Sequence, residues 1–141
     1  MTETFQHGNV TFKYPVGWQL STDDAGDGWT ATLSSTETAF ILVSLQPDAD
    51  DLQQVADETL AALRAEYPDL DAEEVVDTLA GQPAIGHDID FLTVDTSVTA
   101  WTRCIDTLAG PLLVLCQTSE FDRKRNGPVL RAIADSINID E

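Results

Sequence analysis

From Val10 to Tyr14, apolar Val10, Phe12 and Tyr14 alternate with Thr11 and Lys13, the two-residue period of a strand with one buried face. Pro15-Val16-Gly17-Trp18 turns the chain, and a short strand is predicted from Trp18 to Ser21. Asp23 to Gly28, dense in Asp and Gly, reads as a loop, with Asp27-Gly28 a favourable hairpin dipeptide. Trp29, Ala31 and Leu33 alternate with Thr30 and Thr32, a further strand. Ala39 to Leu45 is apolar almost throughout, as in a strand covered on both faces. After Pro47 the period changes to that of a helix. Leu52, Val55, Ala56, Thr59, Leu60, Leu63 and Tyr67 fall on one face. Asp48 or Asp50 suits the cap, Asp51 complements the helix dipole, and Pro68 stops the helix at Tyr67. Burial of that stripe implies that Leu60→Ala costs about 2–5 kcal/mol.

Four strands are predicted next, at Glu73–Leu79, Ala84–Val94, Ser97–Leu108 and Leu112–Ser119. A closing helix is predicted from Pro128 to Ile137, capped by Asn126 or Gly127 and burying Val129, Leu130, Ile133 and Ile137. Strands, helix, strands, helix, with short loops throughout, imply an antiparallel sheet and the α+β class. If Ala109-Gly110-Pro111 is the turn of the last hairpin, Ala100, Thr102, Cys104, Leu112, Val114 and Cys116 share one face. Trp101, Ile105, Leu113 and Leu115 share the other. Both faces are apolar, so both are expected to be covered. Cys104 then lies directly opposite Cys116, and two buried, reduced thiols are expected, with a cross-strand disulfide as the alternative.

Three motifs carry a resemblance. Phe12-Lys13-Tyr14-Pro15-Val16-Gly17-Trp18 is similar to the opening of PsbP-like domains. Gly81-Gln82-Pro83-Ala84 before a long strand is similar too, as is the close from Leu130 to Ile139, a helix ending in Ser136-Ile137 with a short tail. The family includes an extrinsic subunit of photosystem II and many uncharacterised bacterial and archaeal proteins. Its fold is shared with a nuclear import factor that binds the GTPase Ran. The resemblance implies one PsbP-like domain over residues 1–141, with a single antiparallel sheet and helices packed on both faces, and it implies binding rather than catalysis. Its motifs are structural turns and core aromatics, so no functional residue transfers with them.

Charge narrows the partners. The chain has 25 acidic residues against 7 basic ones, a formal charge of −18, with 17 Asp against 8 Glu and only Lys13 and Lys124 as lysines. Nucleic acid and anionic membranes are poor partners for such a surface, because binding to phosphates relies on Lys and Arg. An Asp-rich, Lys-poor surface also suits concentrated salt, where screening removes self-repulsion, and a halophilic setting is expected on that ground. No apolar run reaches membrane-spanning length. Met1 to Asn9 shows neither the basic nor the apolar region of a secretory signal, so the cytoplasm is the expected location.

Candidate chemistry is sparse. There is no G-x-S-x-G, phosphate-binding loop, G-x-G-x-x-G or H-E-x-x-H. His7 lies in a stretch expected to fray. His87 alternates with Ile85, Ile89 and Phe91, and its reactive reading is a nucleophile–base pair with Cys104 or Cys116. Asp23, Asp24 and Asp27 partly echo a calcium loop but lack an acid at the third position (Ala25) and a Glu at the twelfth (Ser34). Asp88 and Asp90 share a strand face and can join carboxylates of a neighbouring strand. Arg123, Lys124 and Arg125 form a basic cluster suited to an anion or an acidic partner patch. The expected function is a non-enzymatic cytoplasmic binding or adaptor protein with a protein partner or a second copy of itself, and no cofactor. The alternative is a small-ligand or divalent-cation-binding module, and a hydrolase-type enzyme using His87 comes third. A deep pocket holding His87 and carboxylates would favour the last two. An exposed aromatic patch at Trp18 or Trp29 would favour the first.

Overall fold

In the computed structural model, which describes residues 1–140, the chain runs β1 (Thr2–His7), β2 (Val10–Pro15), β3 (Gln19–Ala25), β4 (Gly28–Ser34), β5 (Phe40–Leu45), α1 (Leu52–Glu66), β6 (Asp71–Leu79), β7 (Gln82–Leu92), β8 (Ser97–Thr107), β9 (Gly110–Ser119), α2 (Arg123–Asp135) and β10 (Asn138–Ile139). Glu141, the last residue of the expected domain, lies outside the described residues. All strand pairs are antiparallel, as short hairpin loops require.

The expectation of a single sheet with helices packed on both faces is overturned. The strands form two sheets, one of three in the order β1-β2-β10 and one of seven in the order β3-β4-β5-β9-β8-β7-β6. The second layer is therefore largely strand, not helix. One cluster joins Phe5, Val10, Phe12 and Tyr14 of the small sheet to Ala31, Ile41, Val43, Ile105, Leu112, Val114 and Cys116 of the large one. Leu130, Ile133 and Ala134 of α2 fill in beside them. The opposite face of the large sheet is covered by α1, through Val55 and Ala56 against Cys104 and Leu113, and through Leu60, Leu63 and Tyr67 against Ile89 and Phe91.

The three-stranded sheet has a local origin. Thr2 to His7 buries only Phe5, so it lacks an apolar period. It is nonetheless a strand, paired with β2 across a tight turn in which Gly8 takes φ +58°. Two other boundaries move. Asp51, not Asp48 or Asp50, caps α1, its carboxylate accepting from the Gln54 amide at 2.8 Å. α2 begins at Arg123 rather than Pro128, because Asp122 supplies its cap carbonyl to the amides of Arg125 and Asn126. Pro128 then sits inside the helix.

The last hairpin turns through Leu108-Ala109, one residue shorter than expected, with Gly110 and Pro111 already in β9. Thr107 holds the turn, its hydroxyl donating to the Gly110 carbonyl at 2.8 Å and accepting from the Ala109 amide at 3.1 Å. Shortening the loop by one residue flips the parity of the facing strands. Cys104 pairs with Leu113 and Cys116 with Trp101, so the thiols point to opposite faces and are not adjacent. Both are free and buried, as expected.

Candidate functional site

α1 ends where Pro68 forbids another helical turn, and Tyr67 is left at the open end of the sheet. Its ring stacks on Phe91 near the end of β7, with centroids 4.0 Å apart. Leu70 packs beside them, and Val98 of β8 faces Phe91 across the strand pair. These side chains floor a groove of about 560 Å³. Its rim carries Glu66, Asp69, Asp71 and Asp90, with Arg123 at the start of α2 on the far side. Arg123 enters no ion pair among the described residues, and its Nε is buried without a hydrogen-bond partner. Leu92 at the mouth is 78% exposed, and Val94 and Phe121 are exposed too. Phe121 follows Glu120, whose amide donates to the carbonyl of Ser97, the partner of Leu92. One end of the molecule thus combines an apolar floor, an acidic rim, one unpaired guanidinium and exposed apolar residues.

The basic cluster is divided by this arrangement. Arg123 lines the groove, Lys124 is exposed, and Arg125 forms an ion pair with Glu37, which also accepts from Asn126. Arg125 holds the Glu37 carboxyl below its usual range. Next to them, Asp122 is buried. Burial opposes its charge, but hydrogen bonds from Thr38, Asn126 and the amides of Thr38 and Ala39 outweigh it, and its carboxyl titrates below the ordinary range. Asp122 thereby fastens the β4–β5 loop to α2.

Asp23 and Asp24 were expected in a loop but belong to β3, opposite Thr30 and Trp29, and the turn is confined to Gly26-Asp27. Successive strand residues point to opposite faces, so Asp23 and Asp24 diverge. Asp24 is instead 3.3 Å from His7 Nε2, and His7 stacks on Trp29. His7 is thus the ordered end of a strand. Among the described residues no group of three or more His, Cys, Asp or Glu is placed to hold a metal ion.

His87 is buried on the α1 face, and its Nδ1 has no hydrogen-bond partner. Cys104 lies on the same face, two pairs further along the ladder, whereas Cys116 lies on the other. Burial pushes the Cys104 thiol up to about 12, and it pushes Cys116 well above the ordinary thiol range. Neither thiol offers a thiolate. Trp29 is buried and Trp18 packs partly against the core, so neither forms an exposed aromatic patch; Leu92, Val94 and Phe121 are among the exposed apolar side chains, as are Val16, Val76 and Leu108 elsewhere.

Asp88 and Asp90 do meet carboxylates on the next strand, Glu73 and Asp71 respectively. What periodicity did not reveal is Arg103, buried within β8. It donates to Asp77 and Asp88 at 3.0 Å each and to the Thr102 carbonyl at 2.7 Å. Both its guanidinium and that of Arg131 lie over the Trp101 ring, 5.5 Å and 4.5 Å from its centroid. A charged residue inside an apolar strand was the only signal of this network.

The sequence matches no protein-family model and no curated protein. Solved structures do match over nearly the whole chain. Cyanobacterial PsbP (CyanoP) from Synechocystis sp. PCC 6803 superposes with a TM-score of 0.64 at 16% identity, covering 98% of this chain and 92% of that one. PA94 of Pseudomonas aeruginosa, a protein of unknown function, gives 0.57 at 13% identity, with coverage of 96% and 94%. LpqN of Mycobacterium tuberculosis, involved in cell envelope biogenesis, gives 0.50 at 11%, with coverage of 100% and 91%. The chain has a PsbP-like fold.

Proposed function

We propose that this chain is a non-catalytic binding protein that takes a segment of a protein partner in the groove between the end of α1 and β7–β8. The observation that carries the reading is the groove itself. It has an apolar floor of Tyr67, Leu70, Phe91 and Val98, and exposed Leu92 at its mouth. Exposed apolar surface beside a rim of charge is the usual mark of an interaction site. The non-catalytic reading is supported by His87 lying away from the groove and by the burial of Cys104, which raises its thiol pKa. The groove volume also falls in the range of small-molecule sites, and this favours a small-ligand module as the second reading. A cytoplasmic setting belongs to the same proposal, and fractionation of native host cells tests it.

The test compares the wild-type chain with Leu92→Asp as baits for native-host lysate. Leu92 is exposed, so the variant is expected to fold with an unchanged circular dichroism spectrum. A protein retained by the wild type and lost by the variant supports the reading. Identical capture by both overturns it. Turnover of ester, phosphate or peptide substrates that disappears in His87→Ala, but survives in an equally folded control variant, overturns the non-catalytic part.

A further inference from the structure

β6 is one edge of the seven-stranded sheet and pairs only with β7, so alternate residues of its nine present an open row of backbone donors and acceptors. Such an edge is a template for one more strand, and its side chains decide which strand is admitted. β6 carries Asp71, Glu73, Glu74 and Asp77, with Val75 and Val76 between them, and Val76 is 79% exposed. Asp88 and Asp90 extend the acidic surface onto β7, opposite Glu73 and Asp71. The cation within this part of the sheet, Arg103, is already engaged by Asp77 and Asp88. A second copy of this chain would set these acids against their own kind, so self-pairing at β6 is disfavoured. A strand bearing Lys or Arg meets the opposite field. The other edge, β3, carries only Asp23 and Asp24, and Asp24 is paired with His7.

The edge and the groove are continuous. Asp69, Leu70 and Asp71 line the groove, and β6 begins at Asp71. A segment lying along β6 therefore reaches the Tyr67–Phe91 floor without a break.

We propose that β6 accepts an extended, Lys- or Arg-bearing segment of a partner protein as an eighth strand of the large sheet, with an apolar residue of that segment anchored in the groove. The proposal rests on the groove being the partner site. Backbone hydrogen bonds to β6 supply affinity, and the acidic side chains select against neutral and acidic strands.

The probe is a short synthetic peptide alternating Lys and Val, with Phe at one end and fluorescein at the other, titrated into the full chain by fluorescence anisotropy. Saturable binding is expected at about 50 mM NaCl, falling at about 500 mM as screening sets in. N-methylation of one alternate set of peptide amides removes the donors aimed at β6. Loss of two hydrogen bonds of about 1 kcal/mol each corresponds to weakening by roughly tenfold or more. Replacing the peptide's Lys by Gln, or Glu73 and Glu74 of the protein by Gln, weakens binding as well, and backbone amides of β6 gain protection from hydrogen exchange. Binding of the N-methylated peptide as tight as that of the unmethylated one overturns strand addition. If Leu92→Asp still weakens the peptide in that case, the groove reading survives alone. Loss on N-methylation with no effect of Leu92→Asp keeps strand addition and overturns the groove. No binding at low salt overturns the inference, whatever the lysate capture shows.

Discussion

The two faces of the large sheet are built to different standards. One is closed by the three-stranded sheet together with α2, and Phe12, Leu33, Ile41, Ile105, Leu112, Leu130 and Ile133 are fully buried there. The other is closed by α1, which fully buries only Val55 and Ala56, while Leu60, Leu63 and Tyr67 remain half-buried. Close packing on the first face supplies most of the apolar burial that opposes chain entropy. Looser cover on the second leaves the groove open at the helix end. The contrast teaches that one sheet can be sealed densely on one side and left partly open on the other, and the open side carries the groove proposed for recognition.

The largest expected effect tests this directly. Phe12→Ala should cost about 3–5 kcal/mol in denaturant melts. Leu60→Ala, at a half-buried site, should cost about 1–2 kcal/mol, less than full burial of the helical stripe implies. Equal losses would break the comparison. Asp122→Ala should cost about 2–3 kcal/mol, because it strips a buried carboxylate from several donors. Its folded carboxyl titrates below the unfolded value of about 3.9, so its contribution is complete above that pH and is lost as pH falls through the folded value. Wild type should therefore lose more stability than Asp122→Ala between pH 5 and the acid limit, and parallel acid titrations of the two would refute it.

The thiols report on each face separately. If α1 is the looser cover, Cys104 should react with a thiol reagent under native conditions about tenfold faster than Cys116, reflecting an opening roughly 1.4 kcal/mol easier. Single-cysteine variants followed by mass spectrometry give the two rates, and faster Cys116 would reverse the assignment. Salt acts at the β6 edge. Asp71 faces Asp90 and Glu73 faces Asp88, like charges that cost roughly 0.2–1 kcal/mol each. Stability should rise between millimolar and molar NaCl, and Asp71→Asn should flatten the rise. A halophilic setting predicts the same direction for the whole chain, so the difference between wild type and variant isolates the edge. The smallest effect lies at the β6–β7 turn, where Ala80 takes φ +52°. Ala80→Gly should stabilise by about 0.5 kcal/mol, the relief of left-handed strain exceeding the added unfolded-state entropy. A loss in thermal melts would show that the methyl's packing against the core matters more.

Much of this architecture is local and was legible. Alternation at Val10–Tyr14 and Trp29–Leu33, the apolar run to Leu45, and the helical stripe ended by Pro68 depend on side-chain period and backbone sterics within a few residues. Of the groove, Tyr67 and Phe91 were legible as the ends of a helix stripe and a strand face, and Arg123 as part of a basic cluster. Their meeting was not, because it depends on where α1 and α2 dock. Alternation also states which face of a strand is apolar but not which strand it joins, so it does not separate β2 from the large sheet, and β1, with Phe5 alone buried, has no alternation to read. The thiols make the same point at the scale of one residue. Whether Cys104 and Cys116 share a face turned on a loop of two residues rather than three; Thr107 bonds locally across that shorter turn, but Gly110 also lies against Pro47, a close approach that exists only once the chain has folded.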